Sequence, residues 1–183
     1  MKYKIGKYKD RDHYIDECIE IADELSQNIS QILTVSSLEN LKDDEEELKV
    51  SEILGGVLNK YDLMANQKHI SISNNISEEK IYIGRTALRI ILSNLISNAV
   101  KYSDEYGTIN IGSEKGYIYI ENTYENKSSI DIDKIFDVNF DLSKKNSNGL
   151  GLYIVSSLLK NYKIKYRATQ GDSSFKFEIE LNR

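Results

Sequence analysis

The sequence contains no proline, only one cysteine and no long run of apolar residues. The single cysteine, Cys18, excludes an internal disulfide and a thiolate metal cluster, and it agrees with a reducing compartment such as the cytoplasm. No apolar run approaches the roughly 18 residues that a membrane-spanning helix requires, and there is no signal peptide. We therefore expect a soluble chain that makes no direct membrane contact of its own.

An excess of positive charge is also absent. The chain has 24 Lys and Arg residues against 29 Asp and Glu residues, a formal net charge of -5, and its basic residues are scattered. This distribution disfavours binding to the phosphate backbone of a nucleic acid. With 183 residues, 40% of them hydrophobic and 29% charged, the composition favours one main globular domain with an appendage.

The appendage is predicted at the N-terminal side, where residues 12–40 repeat small or apolar side chains at an alternating three-four spacing. This spacing is typical of a coiled-coil-like helix, because a helix of this length needs a partner to cover its stripe. A core helix of a compact domain is the less favoured alternative. The acidic run at residues 43–47 is interpreted as a solvated linker or helix end. The repeating positions are Ile15, Cys18, Ala22, Leu25, Ile29, Ile32 and Ser36.

The rest of the chain mixes helical and strand patterns. Residues 50–67 predict a helix with Ser51 as its N-cap, and the next helix begins near Arg85. This mixture predicts an α+β fold, a two-layer α/β sandwich with a mostly antiparallel sheet, preceded by the one long coiled-coil-like helix. The other predicted elements are strands at 69–76 and 81–83, a hairpin at 108–122, a short helix at 130–136, a glycine-led helix at 148–162 and closing strands at 163–169 and 174–181.

Residues 93–103 carry the first functional pattern. Asn94 and Asn98 stand one helical turn apart, with Lys101 and Tyr102 a turn further on, on a surface distinct from the apolar face. Two amide oxygens suit a hard cation that keeps several waters, and a neighbouring lysine suits a phosphate. Taken alone, the stretch fits an amphipathic helix with two incidental asparagines better than it fits a site.

A second pattern lies some fifty residues downstream, where a glycine pair leads directly into an apolar helix. Glycines at a helix start let the backbone approach a ligand closely, and the free N–H groups with the helix dipole favour an anion such as phosphate. The residues concerned are Gly149, Leu150, Gly151 and Leu152.

Together the two patterns resemble the N box and the second glycine box of the sensor histidine kinases, in the ATPase superfamily that includes gyrase, Hsp90 and MutL. The resemblance covers essentially the whole chain. It implies that residues 1–48 are a partial dimerisation and phosphotransfer region containing its second helix only, and that residues 49–183 are the catalytic ATP-binding domain.

The resemblance also implies roles for single residues. Asn98 would bind Mg²⁺, Asn94 would support the same site, and Lys101 and Tyr102 would approach the phosphates and the nucleotide. The four residues of the second glycine box would hold the phosphate tail of ATP. No nucleophile or general base is identified within the domain. Residues 135–140 are similar to the F box, so that Phe136 and Phe140 would anchor a lid, which also contains Lys144 and Lys145.

The first glycine box departs from the family pattern, in which an aspartate precedes two glycines. By position, Asn122 replaces the aspartate that accepts from the adenine amino group, while Tyr124 and Asn126 replace the glycines. An asparagine carbonyl can accept the same bond without charge assistance. Tyrosine disfavours a backbone with positive φ, so this loop should run differently from the usual one.

The phosphoacceptor motif is absent, since it requires a histidine, an acidic residue and a nearby proline. His13 is followed by tyrosine, and His69, assigned to an edge strand, by isoleucine. We therefore expect a histidine kinase fragment, truncated after the first hairpin helix, that binds ATP and Mg²⁺ but is inactive in autophosphorylation alone. The implied partners are a response regulator and the dimerisation helices of a second copy in the full-length protein. Only the usual organisation of the family implies that the full-length protein would be a membrane sensor.

Two alternatives remain. One is a degenerate, nucleotide-independent dimerisation scaffold, which the altered first glycine box favours. The other is an anti-sigma-factor-type serine kinase of the same superfamily, which should lack the long N-terminal helix.

Overall fold

A computed structural model describes residues 11–37, 43–124, 132, 135–136 and 150–182 of the chain. The chain divides into two compact units, Met1–Ser37 and Leu38–Arg183. In its described part, residues 11–37, the first contains one helix, α1 (Arg11–Ser37), where the three-four spacing predicted it. Ile15, Leu25, Ile29 and Ile32 of the predicted seam are all exposed on this helix. Among the described residues, no helix is both long enough and apolar enough to span a membrane.

The second unit contains three helices and seven strands in its described part. Strand β3 runs into α3 without an intervening loop, because the N-cap Gly84 is also the last residue of the strand. The elements in order are β1 (Glu45–Lys49), α2 (Val50–Gln67), β2 (Ser71–Asn74), β3 (Lys80–Gly84), α3 (Arg85–Tyr102), β4 (Thr108–Glu114), β5 (Tyr117–Thr123), α4 (Leu150–Asn161), β6 (Tyr166–Gln170) and β7 (Ser174–Glu180).

The main sheet has five strands in the order β2-β4-β5-β7-β6, and a separate two-stranded sheet joins β1 to β3. Strands β2 and β4 are parallel, whereas every other pair is antiparallel. The alternation of side chains buries one face of the sheet, and the apolar faces of the helices cover it. The predicted α+β two-layer sandwich with a mostly antiparallel sheet is confirmed.

The core lies between these two layers. Strands β4, β5 and β7 contribute alternate residues, and α3 contributes a broad buried face. Burying such an aliphatic side chain contributes about 1.5–3 kcal/mol relative to leaving it exposed, so this layer fixes α3 firmly on the sheet. The main core residues are Leu88, Ile91, Leu92, Leu95, Ile96, Ile109, Ile111, Ile118, Ile120, Phe177 and Ile179.

Three local predictions are wrong. The acidic run ends in a strand rather than in a linker or helix end, because Glu45–Lys49 pairs with β3 and buries Leu48. Ser51 is not the N-cap of α2; the cap is Lys49, and the Ser51 hydroxyl donates to the Ser77 carbonyl at 2.9 Å. His69 precedes β2, with φ of 53°, and its ring stacks on Tyr106. The predicted short helix at 130–136 lies mostly outside the described residues.

Candidate functional site

Helix α3 presents the two asparagines on its half-buried side. Asn94 and Asn98 lie one turn apart, while the apolar face on either side of them is fully buried. Helix α2 is held against α3 through Tyr61, whose hydroxyl is 3.0 Å from Ser93 Oγ. Because both α2 and the sheet support α3, the amide pair stands on a rigid element.

The first turn of α4 lies against these amides. A Cβ atom placed on Gly151 would come within 3.1 Å of Asn94 Oδ1, and within 3.5 and 3.6 Å of Asn98 Nδ2 and Oδ1. Asn94 Nδ2 donates to the Ile90 carbonyl at 2.9 Å, so Oδ1 is the Asn94 atom directed towards α4. A Cβ atom would be tight against Asn94 and in ordinary contact with Asn98, so a glycine lets the backbone of α4 approach Asn94 without displacement. The structure thus brings Asn94, Asn98 and Gly151 into one place.

The other residues of the second glycine box are Gly149, Leu150 and Leu152, of which the two leucines lie in the first turn of α4. Leu150 is buried and Leu152 half-buried, so both contribute to packing at this end of α4. Gly149 lies outside the described residues. The first N–H groups of a 12-residue helix have no partner within the helix, and they carry the positive end of its dipole. This end can therefore hold an anion beside the amide pair.

Lys101 and Tyr102 occupy the last turn of α3. Both are exposed, and Lys101 Nζ lies 5.6 Å from the centroid of the Tyr102 ring. Sequence reasoning missed the side chain that holds this turn, which is Lys68. Its Nζ donates to the carbonyls of Val100, Lys101 and Ser103 at 3.0, 2.9 and 2.7 Å. A cation at the C-terminal end of a helix satisfies carbonyls that lack partners within the helix.

Asn122 lies near the end of β5, on the buried face of the sheet, and is 6% exposed. Its neighbours across the sheet are Ile109 and Phe175. The side-chain amide donates to the Thr123 carbonyl at 3.0 Å. Since α3 packs over β5, Asn122 lies in the layer beneath the helix that carries the two asparagines.

The chain after β5 is described only in part. Tyr124, at the position of a family glycine, is half-buried and its backbone N–H donates to the Ser173 carbonyl at 2.9 Å. Phe136 packs edge-on against Tyr166 and Phe177, with centroids 5.3 and 6.1 Å apart. These contacts tie residue 136 to strands β6 and β7. The other predicted residues of this segment, Asn126, Phe140, Lys144 and Lys145, lie outside the described residues.

The side chains that could bind a metal ion near α3 suit one kind of metal site. Within the part of the chain that the structure describes, no three His, Cys, Asp or Glu side chains gather around a common point. A metal at α3 would therefore take amide oxygens from this part of the chain. Magnesium is bound by few protein ligands and keeps waters or phosphate oxygens for the rest of its shell. The residues present fit such an ion.

Comparison with known proteins points to one family. The family model described as "Histidine kinase-, DNA gyrase B-, and HSP90-like ATPase" matches residues 84–183. Sensor histidine protein kinase HK06 of Streptococcus pneumoniae is 32% identical over 186 residues, which cover 99% of this chain and 42% of that protein. Heme sensor protein HssS of Staphylococcus aureus is 28% identical over 171 residues, 88% of this chain and 37% of that protein.

A similar fold is found in the solved structure of Acinetobacter baumannii histidine kinase AdeS. The TM-score is 0.68 at 20% identity, and the match covers 99% of this chain and 88% of that chain. The chain spans only about two fifths of the length of the curated relatives that it matches.

Proposed function

The chain belongs to the histidine kinase-, DNA gyrase B- and HSP90-like ATPase family as an ATP-binding catalytic domain of the sensor histidine kinase type, and from this premise we propose how it works. It binds ATP with Mg²⁺ between α3 and α4, and it transfers the γ-phosphate to a histidine on a helix that is not in this sequence. Residues 49–183 form the catalytic domain, to which the paired strand β1 is joined, and the chain before β1 belongs to a partial dimerisation and phosphotransfer region.

One observation carries this proposal: the close approach of Gly151 to Asn94 and Asn98. It puts two amide groups beside the N-terminal end of a helix. An anion held by the helix N–H groups and a cation held by amide oxygens would then be adjacent, which is the arrangement that a metal-bound phosphate requires.

Each residue then has a separate task. Asn98 would hold Mg²⁺ through its amide oxygen, and Asn94 would support the same site. Lys101 attracts the phosphates as an exposed point charge, and Tyr102 covers the nucleotide. When bound, Mg²⁺ supplies charge neutralisation on the phosphate oxygens. Asn122 accepts from the adenine amino group, more weakly than an aspartate would because its carbonyl carries no charge.

Catalysis by this unit is positioning rather than acid–base chemistry. Phosphoryl transfer needs the donor phosphate held in line with its acceptor, and Gly151 and the amides supply only the donor side. Neither His13 nor His69 has the acidic residue and proline of a phosphoacceptor. The acceptor histidine, a second copy of the dimerisation helices and a response regulator are therefore the partners that we propose. Since ATP is a cytoplasmic nucleotide, we propose that this unit works in the cytoplasm.

The test compares Asn98→Ala with Asn59→Ala, a control on the exposed face of α2. Calorimetric titration with ATP and Mg²⁺ should give saturable binding for the unchanged chain and the control, and none for Asn98→Ala. Radiolabelled ATP should leave no label on the unchanged chain. Wild-type affinity in Asn98→Ala would refute the site. A total lack of nucleotide binding in the unchanged chain would favour the dimerisation scaffold.

A further inference from the structure

Helix α3 is capped by a side chain from a distant part of the chain. Asp43 Oδ2 accepts hydrogen bonds from the backbone N–H groups of Thr86 and Ala87, at 2.5 and 3.1 Å. The N-cap residue, Gly84, has no side chain to offer, and the first turn contains no acidic residue. Asp43 thus supplies both the hydrogen-bond acceptor and the negative charge that a helix N-terminus favours.

The glycine at the cap makes room for this carboxylate. A Cβ atom on Gly84 would lie 2.5 Å from Asp43 Cβ and 2.6 Å from Asp43 Oδ2. It would also lie 2.6 Å from the hydroxyl oxygen of Tyr162. A Cβ atom does not come this close to atoms that it is not bonded to, so a side chain at position 84 would displace both neighbours. The three residues form one tightly packed group, called the clasp below.

Tyr162 brings the other helix into the clasp. It follows α4 directly, and its backbone N–H donates to the Leu158 carbonyl in the last turn of that helix. Its hydroxyl oxygen lies against Gly84. Burial, together with the negative charges of Asp43 and Glu45, raises the pKa of Tyr162. The hydroxyl therefore stays protonated and neutral near neutral pH.

The clasp and the asparagine site occupy opposite ends of the same helix pair. Gly84 precedes Asn94 by ten residues, and Gly151 precedes Tyr162 by eleven. At a rise of 1.5 Å per residue, both separations are about 15 Å. Helices α3 and α4 therefore run antiparallel and meet twice, once at the clasp and once where Gly151 touches the amides. Two fixed points determine how a rigid helix lies against its neighbour.

We propose that Asp43, Gly84 and Tyr162 position α3 against α4, and that this clasp sets nucleotide affinity from the end of the helix pair remote from the nucleotide. The inference rests on the proposed nucleotide site. Asp43 lies outside residues 84–183, the part of the chain that matches the family model, so it extends the positioning machinery beyond that part. It is a positioning residue, since it acts on the asparagines only through α3.

The test uses four variants. Asp43→Ala removes the cap, Asp43→Asn keeps a carbonyl oxygen that can accept the two N–H groups, and Tyr162→Phe removes one hydroxyl group. Asp44→Ala is the matched control, because Asp44 is the exposed neighbour of Asp43. Each variant is titrated with ATP and Mg²⁺, and amide hydrogen exchange is measured without nucleotide.

Asp43→Ala should weaken ATP binding by about tenfold, because small displacements of positioning groups are costly. Asp43→Asn should restore most of the affinity, Tyr162→Phe should lose a smaller part, and Asp44→Ala should lose none. Exchange at Thr86 and Ala87 should accelerate in Asp43→Ala while exchange in β7 stays unchanged.

Equal ATP affinity in Asp43→Ala, Tyr162→Phe and Asp44→Ala would overturn the inference. So would accelerated exchange throughout the unit with no recovery in Asp43→Asn, because that pattern indicates general destabilisation. If the unchanged chain bound no nucleotide, the proposed function would be wrong. The part of the inference that concerns nucleotide affinity would then be wrong as well. The exchange data would still decide separately whether the clasp holds α3.

Discussion

Gly151 lies against Asn94 so closely that a Cβ atom on the glycine would be 3.1 Å from the amide oxygen Oδ1. Gly151→Ala should therefore push α4 away from the amide pair by a few tenths of an ångström. We expect a drop in ATP affinity of roughly tenfold or more, since small displacements of positioning groups are costly. Calorimetric titration with Mg²⁺ present measures this directly.

The matched control is Gly56→Ala in α2. A Cβ atom on Gly56 would meet no atom within 4 Å, so alanine fits there without displacement. We expect the free energy of unfolding to rise by about 0.5–1 kcal/mol, because alanine is the better helix former. ATP affinity should not change. Unaltered affinity in Gly151→Ala as well would contradict the proposed contact between the two helices and the phosphate tail.

Asn122→Asp tests the adenine side of the site. A carboxylate accepts a hydrogen bond more strongly than an amide carbonyl, so affinity for ATP relative to GTP should increase. The same change removes the donor to the Thr123 carbonyl and buries a charge, so thermal stability should fall. Competition titrations with the two nucleotides and thermal unfolding give the two results. A lower preference for ATP would show that Asn122 is not part of the adenine site.

Lys68→Met tests the support of the last turn of α3. The substitution keeps the aliphatic stem but leaves the carbonyls of Val100, Lys101 and Ser103 without the ammonium group. We expect a loss of about 2 kcal/mol in the free energy of unfolding, measured with urea. The control is Lys160→Met, which replaces an exposed lysine in the last turn of α4. This substitution should change the free energy of unfolding little. Equal effects of the two substitutions would show that the triple contact contributes nothing specific.

Glu178 should give the fold an acid-sensitive contact. Arg167 donates to it in a bidentate pair, at 2.6 and 2.9 Å, and lowers the pKa of Glu178 with help from Lys176. Since the folded-state pKa lies below the unfolded value of about 4.3, the stabilisation is present above that pH. It is lost as the pH falls through the folded pKa.

Glu178→Gln should therefore be less stable than the unchanged chain near neutral pH and should lose less stability below about pH 4. Urea unfolding at a series of pH values measures both differences. The comparison is Glu180→Gln, because Glu180 forms an ion pair with Lys165, a lysine that is largely exposed. This substitution should have a smaller effect on stability. Parallel pH curves for the unchanged chain and Glu178→Gln would contradict the assignment.

Periodic patterns predicted most of the fold. Helix α2 has the predicted bounds and α3 begins at the predicted residue, because their buried faces repeat every three or four residues over five turns. Strand β1 escaped prediction for the opposite reason. Its three glutamates are exposed and only Leu48 is deeply buried, so nothing in the local pattern distinguishes it from a solvated segment. It forms a strand because it pairs with β3.

The site divides in the same way. Asn94, Asn98 and Gly151 were singled out because their spacing within two helices is visible in the sequence and resembles two boxes of the sensor histidine kinases. Lys68 and Asp43 were missed because each acts on α3 across more than thirty residues of chain. A lysine after a helix and an aspartate in an acidic run have no distinctive spacing. Only the folded chain shows which carbonyls and N–H groups they reach.

The most direct test of the central claim is calorimetric titration of the unchanged chain with ATP and with ADP, each with and without Mg²⁺. The proposed site predicts saturable binding of both nucleotides that strengthens when Mg²⁺ is added, since amide oxygens and phosphates share the ion. Absence of binding at millimolar nucleotide, with or without Mg²⁺, would contradict it. The chain would then keep the fold of the family without its ligand.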